Sequence, residues 1–342
     1  MTMNKIKGIK SVDFKITASG EGVVNWNGTT ELSIKINGKY ALVNNHSLPK
    51  LRGYSNKIIR TNKSNEESKV SKSPDDIDFK KTPLYISQNC IRHHLFKGEN
   101  FNLQDPQVAK EMEKLLCSIT GLIRGYVIPK KEYKRTSALL ITDFVETKGR
   151  GNFEQMSTSG SKAKQETKSG VDKSNSLFSK TTFGETEYEA YASISIEQLQ
   201  FISLDNQYSR QAMESNNEME SKKIALTISK YLQELGNDKN AEAIYHKNYV
   251  RKGSIFTNKE HGEAGILLND NAIDVLVNQM KFLLENLAFR QAKGWMMIDG
   301  INIDYNDSTL AKSMFRIKRN SDHIENRKDG KRYAIYFEGH NS

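Results

Sequence analysis

The order of the hydrophobic patterns along the chain restricts its fold more than any other feature of the sequence. Residues 6–16 place Val12, Phe14 and Ile16 in one alternating phase, which predicts a half-buried strand. Residues 84–97 predict a short strand end followed by a helix with Ser87 as its N-cap. The remaining patterns predict three helices: one that begins near Pro106 and ends at Gly121, one that ends at Gly236, and a long core helix over 273–287. They also predict a short buried strand at 137–144, a hairpin around Gly184 within 177–192, and a strand at 193–204 with a bulge near Glu197. Further strands are predicted at 248–256, 295–305 and 314–318.

Two long polar stretches interrupt these patterns. Residues 18–80 are rich in glycine and polar side chains, which is typical of a loop-rich insertion. Residues 146–176 hold almost no aliphatic side chain, so they cannot bury enough apolar surface to order themselves. The central order is strand, helix, strand, strand, helix, strand, which is the plan of ferredoxin-like and RNA-recognition folds. We therefore predict an α+β fold of this plan, with large insertions after its first and second strands.

The charge balance points to a polyanionic partner. The 342 residues include 51 Lys plus Arg against 41 Asp plus Glu, a net charge of +10. Such an excess favours nucleic acid or an anionic membrane surface. No stretch approaches the roughly 20 apolar residues that cross a bilayer, and the N-terminal sequence lacks an apolar signal core. We therefore expect a cytoplasmic protein that binds nucleic acid and no membrane.

Basic residues concentrate in the connecting segments, and aromatic residues are interleaved with them. Cations on loops beside ring faces suit single-stranded nucleic acid, because phosphates are neutralised while bases stack. An ordinary solvated charged surface is the alternative. The aromatic consensus of RNA-recognition modules is absent, so binding would use something other than an aromatic sheet face. The basic candidates are Arg52, Arg124, Arg135, Lys148, Arg150, Lys180, Arg251, Lys252, Arg290 and Lys293.

The sequence carries no signature of an enzyme. It has no dinucleotide loop, P-loop, HExxH or GxSxG motif. Cys90 and Cys117 lack the spacing of a zinc site, and the acidic residues within 299–307 do not match a calcium loop. We expect no catalytic residue, no cofactor and no metal.

Two alternatives to a non-catalytic protein remain. Adjacent His93 and His94 suit metal-independent RNA cleavage, one as base and one as acid. Neighbouring residues on a helix diverge by about 100 degrees, however, so one histidine is expected to pack while the other faces outward. A ribonuclease that uses one of them, or a loop carboxylate such as Asp75 with a metal, is one alternative. A generic single-strand-binding protein is the other.

Long segments of the chain resemble a known family. From about residue 6 to residue 319 the sequence resembles the backbone subunit of the type I-F variant CRISPR Cascade. The segments that carry the resemblance are GIKSVDFKI (8–16), GVVNWNG (22–28), LPKLRGY (48–54), TPLYISQNCIRHHLF (82–96), SITGLIRGYV (118–127), KRTSALLITDF (134–144), GNFEQ (151–155), SLFSKTTFGETEYEAYASISIEQLQFISLD (176–205), NYVRKGSIF (248–256), GILLND (265–270), RQAKGW (290–295) and DYNDS (304–308). Residues 56–80, 156–175 and those after 320 do not match.

The resemblance implies an architecture. It implies a modified RNA-recognition palm with inserted finger-like and thumb-like elements. Carried over, the palm is formed by 1–17, 83–145 and 193–342, the finger-like or web-like subdomain by 18–82, and the thumb-like insertion by 146–192.

The resemblance also implies a function. The family's subunits stack head to tail along a guide RNA (crRNA) without cleaving it and display it for pairing with target DNA in antiviral defence. Partners would be the crRNA, target DNA through the guide, further copies of the chain, an end-capping subunit and a repeat-processing endonuclease. The segment ISQNCIRHHLF resembles the helix start that grips guide phosphates, which implies phosphate contacts for Ser87, Gln88, Arg92 and His93. In the thumb-like insertion, Phe178 and Phe183 become candidates for a ring that wedges into the RNA.

Overall fold

The computed structural model describes most of the chain. The described residues are 6–26, 30–36, 39–45, 49–52, 81–98, 108–148, 151–156, 178–207, 210–252, 262–291, 294–310, 315–319, 328 and 330–340, with the backbone alone in 30–36, 39–45, 151–156 and 178–183.

Strands form most of the regular structure. Their bounds are β1 Ser11–Gly22, β2 Thr30–Ile36, β3 Lys39–Asn45, β4 Tyr85–Ile86, β5 Tyr126–Ile128, β6 Tyr133–Arg135, β7 Leu139–Ile141, β8 Phe144–Glu146, β9 Gly151–Met156, β10 Phe178–Phe183, β11 Glu185–Ser195, β12 Phe201–Ser203, β13 Ala243–Arg251, β14 Glu263–Leu268, β15 Ala288–Gln291, β16 Gly294–Asn306 and β17 Phe337–Gly339.

In the described part of the chain, six α-helices accompany the strands. Their bounds are α1 Gln88–Leu95, α2 Met112–Leu116, α3 Ile196–Gln200, α4 Glu218–Gly236, α5 Asp270–Glu285 and α6 Arg316–Arg319, with 3-10 turns at Val108–Lys110 and Pro129–Lys131 and a π-helical turn at Thr120–Arg124. The two long helices begin at asparagine N-caps, since the Asn217 and Asn269 side chains accept hydrogen bonds from backbone N–H groups of the first turns. The mixed α and β composition is confirmed.

The central sheet has seven strands in the order β15-β16-β1-β11-β8-β4, and β7 also pairs with β11. Neighbouring strands run antiparallel, and Phe14 of β1 lies opposite Ala192 of β11 and Ile303 of β16. The predicted alternation of β1 is confirmed, because Val12, Phe14 and Ile16 are completely buried. A second sheet has the order β12-β14-β13-β17, and α4 packs on β13.

A β-bulge separates β7 from β8. Ile141 lies opposite Ala192, and Val145 lies opposite Glu189. The β7–β8 side therefore advances four residues where β11 advances three, so one residue is extra between Ile141 and Val145. Bulges bend a strand and redirect side chains. Here the bulge falls at Thr142 and Asp143, where 137–144 was predicted to be one strand.

Three other sequence predictions are corrected by the observed strands and helices. Residues 177–192 do not form a hairpin: β10 pairs with β9, and β11 pairs with β1. The phase change near Glu197 marks the helix α3 and not a bulge, since Ser195 accepts a hydrogen bond from the Gln198 N–H and starts a helical turn. Residues 316–319 are helical and not a strand.

The helix predicted up to Gly121 is broken into shorter turns. A 3-10 turn, α2 and a π-helical turn follow one another, and Gly121 lies inside the last of them. In this arrangement Gly121 packs closely on the preceding turn, because a Cβ atom on Gly121 would lie 2.0 Å from the Leu115 carbonyl oxygen. Pro106 and Asp105 lie outside the described residues.

Gly121→Ala should therefore destabilise the fold. A methyl group at this position collides with backbone and not with a flexible side chain, so we expect the free energy of unfolding to fall by about 1–3 kcal/mol or more. Gly184→Ala is the matched control, because nothing lies within 4 Å of the added Cβ. Urea denaturation of both variants measures the difference, and equal stability of the two would contradict the close contact.

Candidate nucleic-acid interface

The start of α1 gathers several of the predicted phosphate contacts. Residues 49–52 run alongside the strand that leads into α1: the Tyr85 N–H donates to the Lys50 carbonyl (3.0 Å), and the Arg52 N–H donates to the Pro83 carbonyl (2.8 Å). Ser87 is the N-cap, and its hydroxyl lies 3.4 Å from Lys50 Nζ. Exposed Gln88 begins the helix. The pairing therefore brings two cations to a helix N-terminus, where unpaired N–H groups favour anions.

A carboxylate that the sequence did not suggest sits at this helix start. Asp143, placed by the bulge, accepts a hydrogen bond from the Gln88 N–H through Oδ1 (2.9 Å). Its Oδ2 accepts from Arg52 Nη1 at 3.1 Å. The Ser87 hydroxyl makes no capping bond to the described backbone of α1, so Asp143 takes that role. The start of α1 is thus an anion site that is occupied by the Asp143 carboxylate of the protein itself.

The outer face of α1 is polar. Gln88, Asn89 and His93 are exposed, while Ile91 and Leu95 are buried against the core.

The side chains of His93 and His94 point in different directions, as expected. The His94 ring packs against Phe289 with ring centroids 4.3 Å apart, and the exposed His93 ring meets the His94 ring edge-on at 5.4 Å. Burial lowers the pKa of His94, and the neighbouring His93 and Lys97 add to this. His93 is therefore the histidine available to a ligand.

Arg92 points into the protein. Its guanidinium donates to the carbonyls of Leu139 (2.8 Å) and Arg124 (2.9 Å) and to the Ser137 hydroxyl (3.0 Å). Burial, followed by the charge of Arg124, lowers the pKa of Arg92. The geometry gives Arg92 a structural task, fastening α1 to the 124–139 segment, and the predicted phosphate contact stays a prediction.

Arg124 and Arg135 differ in their access to a ligand. Arg124 is half-buried, with its guanidinium 5.9 Å from the centre of the Phe96 ring, and burial lowers its pKa. Arg135 is 6% exposed and donates to the Phe201 and Leu199 carbonyls. Burial lowers the pKa of Arg135 to about 10. This geometry disfavours the predicted RNA contact of Arg135, because its guanidinium does not reach the surface.

The remaining basic candidates lie on other parts of the surface. Lys148 pairs with Glu187, Arg251 with Glu197, and Lys252 with Glu338. Arg290 is exposed on β15, where it lies opposite the partly exposed Trp295. Arg150 and Lys293 lie outside the described residues, as do the side chains of Phe178, Lys180 and Phe183.

The outer face of the central sheet does not suit RNA. Glu185, Glu187 and Glu189 follow one another on that face of β11, opposite Glu21 and its neighbours on β1. Lys15 pairs with Glu189 at 3.2 Å. A row of carboxylates repels phosphate, so this face does not favour a nucleic-acid ligand.

The described residues contain neither a metal-binding cluster nor a membrane-spanning helix. Nowhere in them do three His, Cys, Asp or Glu side chains gather to hold a metal ion. Among the helices that the structure describes, none combines the length and the apolar character that crossing a bilayer requires.

A protein-family model described as "Type I-Fv CRISPR-associated protein Cas7fv-like" matches residues 8–340. A search of curated proteins found no match.

Arg92→Lys should destabilise the protein although it keeps the positive charge. An ammonium group cannot reproduce the fork that reaches three acceptors, so we expect a loss of about 2–4 kcal/mol in the free energy of unfolding. Arg290→Lys, on an exposed strand, should change it by less than about 0.5 kcal/mol. Urea denaturation measures both. A stable Arg92→Lys protein with weakened RNA binding would instead assign Arg92 to phosphate recognition.

Proposed function

Because the chain belongs to the Cas7fv-like family of type I-Fv CRISPR-associated proteins, we propose that it is a non-catalytic backbone subunit of Cascade that polymerises head to tail along a crRNA. In this role it works in the cytoplasm and displays the guide for pairing with target DNA. Base pairing by the guide then supplies sequence specificity, while the protein holds the backbone.

The observation that carries the proposal is the cluster at the start of α1. Lys50, Arg52, Ser87 and the Gln88 N–H converge there from two segments that are about 35 residues apart in the chain. Cations, a hydroxyl and a backbone N–H of a helix N-terminus are the groups that recognise a phosphate without reading a base. His93 lies on the exposed face of the same helix and extends this surface.

The central sheet supports a ferredoxin-like palm. Four of its strands stand in the order β16-β1-β11-β8. Because β1 and β8 both run antiparallel to β11, they are parallel to each other with β11 between them, as a split βαβ arrangement requires. The chain places α1 between β1 and β8, and α4 and α5 between β11 and β16.

The two-stranded ribbon of β9 and β10 supports the assignment of a thumb-like insertion. Residues 151–156 and 178–183 pair antiparallel and leave the palm between β8 and β11. In the proposed role, this ribbon reaches the neighbouring subunit and a ring from Phe178 or Phe183 replaces base stacking where the RNA kinks. Such contacts join unlike surfaces, so they propagate as an open helix until an end-capping subunit or the repeat-processing endonuclease is met.

A ribonuclease is the second candidate. The packing of His94 against Phe289 leaves His93 without a second exposed histidine beside it, which supports the non-catalytic assignment. Asp75 lies outside the described residues.

The purified protein should assemble on RNA. With a cognate crRNA we expect sedimentation as one elongated particle that contains several copies of the chain. Binding should weaken with salt at about 0.7 log units per log unit of salt for each phosphate neutralised. Micrographs and sedimentation test this, and a protein that stays monomeric and free of RNA at low salt would refute the proposal.

Guide and target RNA should remain intact in the same preparation. Incubation with and without a chelator separates metal-dependent from metal-independent cleavage. Cleavage that disappears in His93→Ala, while assembly persists, would establish the ribonuclease instead.

A further inference from the structure

The carboxylate at the start of α1 occupies the position where the proposed function requires a phosphate. We propose that Asp143 is an autoinhibitory placeholder, which fills the guide-phosphate site of the unloaded subunit and leaves it when RNA binds. This inference rests on the proposed function, because it concerns the regulation of the same site.

Each oxygen of Asp143 is held by a group that a phosphate would use. The Gln88 N–H donates to Oδ1 at 2.9 Å, and Arg52 Nη1 donates to Oδ2 at 3.1 Å. A phosphate carries the same single negative charge and the same type of acceptor oxygen. RNA must therefore compete with an anion that is tethered to the site by the chain itself.

The exchange requires little rearrangement. The Asp143 side chain is 27% exposed and that of Arg52 is 54% exposed, so their ion pair opens directly into solvent. The backbone beside Asp143 is fixed, since the Thr142 N–H donates to the Tyr191 carbonyl (2.8 Å) and the Tyr191 N–H donates to the Thr142 hydroxyl (2.9 Å). The side chain can rotate away while the bulge stays in place.

The bulge argues for a specific role. A regular β7–β8 strand would lack the extra residue that presents Asp143 to α1, and bulges are retained where they direct a side chain to a site. Simple capping is the competing role, because a carboxylate at a helix N-terminus also stabilises the helix. The two roles predict opposite changes in RNA affinity when the charge is removed.

The consequence is a subunit with restrained affinity for arbitrary RNA. While Asp143 neutralises Arg52, a free subunit offers a weaker electrostatic attraction to passing single strands. Loading then depends on further contacts, such as those between adjacent copies on a guide, to offset the displaced ion pair.

Asp143→Asn tests the placeholder. The amide keeps the side-chain shape and an oxygen for the Gln88 N–H, but it releases Arg52. We expect the full-length variant to bind a single-stranded oligouridine about three- to tenfold more tightly than the wild type at low salt. We also expect its salt dependence to steepen by up to about 0.7 log units, as for one further phosphate neutralised. Fluorescence anisotropy measures both, and thermal unfolding checks that each protein is folded.

Two further variants make the test specific. Glu218→Gln removes a carboxylate that pairs with Lys222 at 2.7 Å in the first turn of α4, and it should leave RNA affinity unchanged. In an Arg52→Gln background the gain from Asp143→Asn should disappear, because no guanidinium is left to release. Comparing the RNA affinities of the two Arg52→Gln proteins, with and without Asp143→Asn, also tests the placeholder if the single variant is less stable.

The outcomes separate the two claims. Unchanged or weaker binding by folded Asp143→Asn, beside ordinary binding by the wild type, would overturn the placeholder and leave the proposed function standing. Absence of RNA binding in every variant and in the wild type would overturn the proposed function, and this inference with it.

Discussion

The pairing of β1 on both of its edges is the constraint on which the rest of the structure depends. Its residues 11–21 pair with β11 on one side and its residues 11–22 pair with β16 on the other, which joins parts of the chain nearly 300 residues apart. Because side chains alternate along a strand, this double pairing sends Val12, Phe14 and Ile16 into the core as a block. A slip of one residue would expose all three, so the register is strongly specified.

The same alternation fixes the chemistry of the opposite face. Asp13 faces outward yet is buried, and it accepts hydrogen bonds from Ser193 (2.6 Å) and Asn306 Nδ2 (3.1 Å). Burial raises the pKa of Asp13. Asp304, directly opposite Asp13 on β16, accepts hydrogen bonds from Nε and Nη2 of Arg316, a residue of α6, which covers this end of the sheet. The outer face of the central sheet is therefore acidic or covered.

Local patterns predicted the elements, while non-local pairing decided their partners. The periodicity of α4, α5 and β1 was sufficient, because long amphipathic stretches fix their own type. The hairpin around Gly184 was wrong because two adjacent strands with a tight connection can still pair elsewhere. Asp143 was missed for the same reason. A bulge places its side chain at the start of α1, and the pairing register of β7 and β8 with β11 cannot be predicted from the residues next to Asp143 in the sequence. The polar pair Thr142–Asp143 inside an apolar run was the only local signal.

Arginine is the residue for which sequence and structure diverge most. Arg92, Arg124 and Arg135 are all predicted to contact RNA, but the guanidinium groups of Arg92 and Arg135 donate to backbone carbonyl oxygens inside the protein. A guanidinium binds a backbone carbonyl and a phosphate with the same donors, so composition cannot separate the two uses. Only burial separates them.

The exposed cations show a second regularity. Four cations that the sequence predicts to contact RNA each form an ion pair with a carboxylate on the surface: Arg52, Lys148, Arg251 and Lys252. Exposed pairs contribute only about 0–1 kcal/mol each, so a phosphate can replace the carboxylate at small cost. The gain per contact is correspondingly small. In the proposed function, a single copy of such a surface would hold RNA weakly, whereas several copies on one strand would add their contributions. Paired surface charges would then give the weak binding by one subunit and the strong binding by an array that the proposed filament requires, without any change in the fold.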